Sequence, residues 1–156
     1  MSVCIALLVA LTGALDFSVD WLAFRAGADS SRVEFFYAIP YDQLLYTQTD
    51  SGLVAGFSVR LELAGLDSSF KQEGIIFKRA QIRSFQEAFT AQLSFVDAFS
   101  VTAPPGKYRF KIAVAETNSA GQTEEVREDT IVLKGFSSGL ALSALQVGSK
   151  IDTATG

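Results

Sequence analysis

The chain has 156 residues, 49% of them hydrophobic, and its 17 acidic and 13 basic side chains leave a net charge of −4. That is one domain with ample material for a packed core, and it carries no electrostatic footprint for DNA or RNA. Histidine is absent and Cys4 is the single cysteine, which excludes Ser-His-Asp and Cys-His catalysis, histidine-based metal centres and an intramolecular disulfide.

The chain opens on an apolar run, Val3 to Leu11, followed by Thr12-Gly13-Ala14. The run is shorter than the roughly 20 residues a membrane span requires, and it matches a signal-peptide core with a cut after Ala14. No Lys or Arg precedes it, so the alternative is a buried first strand. Cys4 lies too early, after the wrong residues, for lipoprotein acylation. Residues 1–15 are read as a signal peptide, and the protein is expected to be exported to the periplasm, outer membrane or extracellular space. Without Cys4 the mature chain tolerates an oxidising compartment and makes no use of it.

From Asp16 the dominant period is two. Phe17, Val19 and Trp21 alternate, and "RVEFFYAIP" and "QLLYTQT" are short β-rich runs separated by Pro40-Tyr41-Asp42, where proline removes a ladder donor. Asp50-Ser51-Gly52 marks a hairpin turn. After it, Phe57, Val59, Leu61 and Leu63 share one face, with Ser58, Arg60 and Glu62 on the other. Gly65 to Ser69 is a loop.

Gly74 to Val101 is ambiguous. Ile82, Phe85, Phe89 and Leu93 recur at helical spacing, yet Phe85, Phe89, Ala91, Leu93, Phe95, Phe99 and Val101 also share odd parity. The long alternation predicts a strand, broken near Asp97. Next, "PPGKYRFKIAVAET" and "EEVREDTIVLKGF" flank the loop-like "NSAGQ" and predict a hairpin. Pro104-Pro105-Gly106 sets its start, with Gly106 expected at positive φ, and Tyr108 is placed as a corner tyrosine whose hydroxyl serves a nearby backbone group. The expected fold is therefore all-β, an antiparallel immunoglobulin-like or fibronectin-like β-sandwich of about 7–8 strands over residues 16–136. Residues 137–156 form a C-terminal segment or linker.

Four groups of residues invite a chemical reading. Lys107, Arg109 and Lys111 form a stripe that an anion would favour. The following strand holds Glu124, Glu125, Glu128 and Asp129, so the stripe is expected to be one solvated strand face beside acids. An anion-holding backbone nest at Pro104-Pro105-Gly106 is disfavoured, because two prolines remove two N–H donors. Paired carboxylates of a hydrolase would draw on Glu34, Glu62, Glu73 or Glu87. Glu87 is the one expected to be partly buried, but no second motif supports catalysis. The best lead is the aromatic cluster Tyr37, Tyr41 and Tyr46 around Pro40, a candidate surface for a sugar or protein ligand unless it caps the core. No calcium loop or phosphate loop occurs, and neither a cofactor nor a metal is expected.

Three segments, "VEFFYAIPYDQLLY", "PPGKYRFKIAVAET" and "VLKGFSSGLALSAL", resemble in order the N-terminal region of bacterial secreted GWxTD-domain proteins. The resemblance spans Asp16 to Ile151. The G-W-x-T-D motif itself is absent, the lone Trp21 sits in "VDWLAF", and Ala144 stands where the family pattern has Asp. The resemblance implies an exported β-sandwich module without an assigned reaction, and further chain beyond Gly156, towards which "GSKIDTATG" would be a linker. The expectation is thus a non-enzymatic interaction or spacer module of the bacterial envelope, with a protein or glycan partner, no nucleic acid and no stable membrane span. A carbohydrate-binding domain using the Tyr37/Tyr41/Tyr46 cluster is the second reading, and a carboxylate-dependent hydrolase centred on Glu87 the third.

Overall fold

The computed structural model describes residues 15–50, 52–90, 93–117 and 124–135. The expected signal segment, Leu15 apart, and the C-terminal segment fall outside the described residues. Among the described residues eight strands form: β1 (Ser18–Arg25), β2 (Ser31–Pro40), β3 (Thr47–Thr49), β4 (Gly52–Gly65), β5 (Lys71–Ile82), β6 (Ser94–Ala103), β7 (Gly106–Glu116) and β8 (Glu124–Leu133). A 3-10 turn covers Tyr41–Gln43, and one short helix, α1, covers Phe85–Thr90.

All pairings are antiparallel. One sheet has the order β1-β2-β6; the other runs β5-β4-β7-β8, with β3 added to the first residues of β4. The chain changes sheet between β2 and β3, β5 and β6, and β6 and β7, the Greek-key crossing of an immunoglobulin- or fibronectin-like sandwich. The expected fold class is the observed one.

Period-two patterning drives this arrangement, because each alternate side chain has the other sheet to face. Val33, Phe35, Tyr37 and Ile39 of β2 point inward against Phe57, Val59, Leu61 and Leu63 of β4 and Tyr108, Phe110, Ile112 and Val114 of β7. Phe35 meets Phe110 across the sheets at 5.0 Å between ring centroids, and Phe57 meets Phe95 edge-on at 5.0 Å. Each such fully buried side chain contributes about 1.5–3 kcal/mol.

Turn chemistry fixes the register. Gly52 closes the β3–β4 hairpin at φ 120°, a conformation closed to L side chains, and a Cβ there would stand 2.9 Å from the Ile82 carbonyl oxygen. At the β6–β7 corner the Tyr108 hydroxyl donates to the Pro104 carbonyl at 2.7 Å, as expected of a corner tyrosine. The reason for Gly106 differs from the expected one. It lies outside the positive-φ region, and its missing Cβ instead leaves room for the Tyr108 ring, 3.3 Å from where that atom would be.

The segment from Gly74 to Val101 departs from the single strand predicted. β5 ends at Ile82, α1 follows, and β6 begins at Ser94 rather than breaking near Asp97. Phe85 and Phe89, four residues apart, satisfy helical and alternating patterns alike. The tie is broken because the chain must pass between sheets here, where no neighbouring strand offers a ladder and "FQEAFT" can satisfy its own backbone. Among the described side chains of α1, Ala88 is buried, against Leu53 and Ile82.

Both flanks of the sandwich are closed by polar contacts between the sheets. On one, Lys78 of β5 pairs with Asp97 of β6 at 2.6 Å, and the Tyr37 hydroxyl donates to Asp97 at 3.3 Å. On the other, Arg127 of β8 bonds Asp16 at 2.9 Å and the Phe17 carbonyl at 3.2 Å while its guanidinium covers the Phe17 ring.

Candidate functional site

The three tyrosines predicted as a surface cluster separate in the fold. Tyr37 lies on the inward parity of β2 and is 1% exposed, its ring between Phe95 and Phe99. This corrects its assignment to a ligand surface: the side chain packs the core, and its hydroxyl is used by Asp97. Burial, then the Asp97 charge and hydrogen bond, push its pKa up. For Asp97 desolvation acts upward, but the bonds from Lys78, the Ala98 N–H and Tyr37 outweigh it and hold the carboxyl below its ordinary value.

Tyr41 and Tyr46 remain together, half-buried, at the pole formed by the β2–β4 and β5–β6 connections. They pack on a small second apolar cluster of Leu53, Ile82 and Ala88. The Tyr41 N–H donates to the Leu93 carbonyl at 2.9 Å, which ties the 3-10 turn to the approach to β6. Leu45, between them, is held by its N–H to Glu116 Oε1 at 2.7 Å. The Tyr46 hydroxyl is buried without a hydrogen-bond partner, and its pKa is pushed up to about 12 by burial, then by Tyr41 and Asp42.

Around these rings large apolar side chains gather beside the exposed Asp42 and Gln43. Phe85 stands edge-on to Tyr46 at 6.1 Å yet is 52% exposed, and Phe89, one turn further along α1, is 64% exposed. Leu45 and Leu93 are exposed beside them. These large apolar side chains lie at the loop end of the sandwich, open to solvent and not packed into the core. The sequence pattern hid this: alternation assigned Phe85, Phe89 and Leu93 to a strand face, and only the sheet change at this point turns them outward.

The basic stripe lies on the outer face of the five-stranded sheet, but its neighbours are not all those expected. Lys111 faces Glu62 on one side and Glu128 on the other, whereas Arg109 faces Thr130 and Lys107 faces Val132. Glu125 and Asp129 oppose Val114 and Phe110 and so take the inward parity of β8, and Glu124 pairs with Arg60. The acids beside the stripe are therefore fewer than the sequence of β8 suggests.

The carboxylates are dispersed over the surface. Glu34 pairs with Arg32 at 2.9 Å and Glu73 with Lys71, while Glu62 and Glu73 are cross-strand neighbours on an open sheet face. Glu87 lies in α1, and its side chain is outside the described residues. Among the described residues no group of three or more metal-ligating side chains occurs, and no helix is long and apolar enough to cross a membrane. The Lys78–Asp97–Tyr37 contact was also missed in the sequence. Its signal is a Lys and an Asp each standing at the inward parity of an otherwise apolar strand face.

No protein-family model and no curated protein matches the chain. Among solved structures, the crystal structure of a protein from Archaeoglobus fulgidus aligns with a TM-score of 0.36 and 10% identity, covering 78% of this chain and 98% of that one.

Proposed function

We propose that this chain is a non-catalytic interaction module of an exported bacterial envelope protein, and that it takes a protein partner at the apolar pole. The observation that carries the reading is the exposure of Phe85 and Phe89 beside Tyr41 and Tyr46. An apolar surface of this kind gains most from a partner that removes it from water, at about 25 cal/mol per Å². The export half of the reading is supported by the apolar run Val3–Leu11 and by the resemblance of the "IPYDQLLY" and "PPGKYRF" segments to secreted GWxTD-domain proteins.

A photo-reactive residue placed at position 89 tests the site in cells. It is expected to cross-link an envelope protein, and the cross-link should vanish when Phe85 is also replaced by Ser. A cross-link of equal yield from Val132, an exposed position on the opposite edge strand, would count against a specific pole. Fractionation should place the protein outside the cytoplasm. Glycan binding is the second reading, favoured by the half-buried Tyr41 ring. It predicts retention on a glycan array that Tyr41→Ala abolishes.

A further inference from the structure

We propose that two copies of this chain associate through the edge of β5 that faces away from β4, joining their five-stranded sheets about a two-fold axis centred on Ile76. Among the described residues β5 pairs with β4 alone, and no described strand runs along its other edge. The outer face of this strand reads Lys71, Glu73, Ile75, Phe77, Arg79, Gln81, and its two apolar members are unusually open, Ile75 at 54% and Phe77 at 71% exposed. An exposed Ile and Phe on an edge strand invite a further strand, as in β-strand addition.

The pattern of that face selects both the occupant and the register. An antiparallel second copy centred on Ile76 sets Glu73 against Arg79 of the second copy, and Ile75 against its Phe77. The two-fold repeats both contacts, so one arrangement makes two ion pairs and two apolar pairs, flanked by Lys71 against Gln81. Centring on Ile75 instead sets Lys71 against Arg79, two like charges. Centring on Phe77 leaves Arg79 facing Ile75 and Glu73 facing Gln81. Only the Ile76 register is self-complementary, the property an isologous interface requires.

On the inward side the same register places Gly74 against Lys78 of the second copy, where the missing side chain leaves room. Lys78 is the kind of inward-pointing charge that keeps strand edges apart. Here it is bound to Asp97 across the sandwich and does not stand free at the edge.

Sedimentation velocity of the full chain over about 1 µM to 1 mM tests the inference. The expected result is a reversible monomer–dimer equilibrium that weakens as salt is added. Glu73→Arg and Arg79→Glu should each weaken the dimer at least about tenfold, by setting like charges opposite each other twice per dimer. Combining the two substitutions should restore it, because the pairs re-form with reversed sign. Phe77→Lys should also give monomers, and circular dichroism checks that each variant keeps its β signal. Phe85→Ser with Phe89→Ser should leave the dimer intact, which separates this edge from the apolar pole. A wild-type monomer throughout the range overturns the proposal. So does a dimer indifferent to both single charge reversals, or a folded double reversal that stays monomeric.

Discussion

Tyr108 and Tyr46 occupy opposite ends of the same sandwich and are finished in opposite ways. Tyr108 is 1% exposed, and its hydroxyl is spent on the Pro104 carbonyl at 2.7 Å, which pins the β6–β7 corner. Tyr46 is half-buried on a small satellite cluster, and its equally buried hydroxyl has no partner. A buried hydroxyl without a hydrogen bond costs free energy that a neighbour or a ligand can recover. The contrast separates a pole whose polar groups are satisfied internally from one that leaves a polar atom and several aromatic faces unused. The first is closed by its own hydrogen bond, and the second leaves Phe85 and Phe89 open to solvent.

The sharpest test of this contrast is a matched pair of hydroxyl deletions. Tyr108→Phe strands the Pro104 carbonyl and should cost about 1–3 kcal/mol in urea or thermal unfolding. A neutral result would mean that water replaces the hydroxyl, and the two poles would then be alike. The flank between them comes next. Asp97→Asn weakens the contact with Lys78 and Tyr37 and should cost about 1 kcal/mol at neutral pH.

That cost carries a pH signature. The folded Asp97 carboxyl titrates below its unfolded value of 3.8, so its contribution is complete above that value and is lost as the pH falls through the lower folded one. Wild type and Asp97→Asn should therefore converge in stability on acidification, and a constant gap down to strong acid would remove the charge from the account. The smallest effect has the opposite sign. Tyr46→Phe deletes an unpartnered hydroxyl and should leave stability unchanged or raise it by up to about 1 kcal/mol. A clear loss of stability would show that the hydroxyl is bonded after all, and the pole would no longer differ from the corner.

The sheet architecture was legible in the sequence where alternation had one interpretation. "GFSVRLELAG" and "KYRFKIAV" place their large apolar residues on one parity, and both strands bury that parity. Legibility failed where two periods coincide. Phe85 and Phe89 fit a strand and a helix equally, and the deciding fact, that the chain leaves one sheet for the other here, lies beyond any local window. Tyr37 failed for a related reason. It stands three residues from Pro40, near the loop it was grouped with, but its parity belongs to Phe35 and Ile39, and parity outweighed proximity.

By itself, then, the sequence determined the fold class, most strand positions, the hairpin at Gly52 and the corner role of Tyr108. Each of these follows from local periodicity or from the conformational limits of single residues. The tertiary structure decided which tyrosines reach the surface, that Lys78 and Asp97 meet across the sandwich, that β5 pairs with β4 alone among the described strands, and that α1 carries its phenylalanines outward. All four depend on which strands become neighbours. Pairing joins residues far apart along the chain, and the periodicity of a single strand records which face is buried but not what lies opposite it.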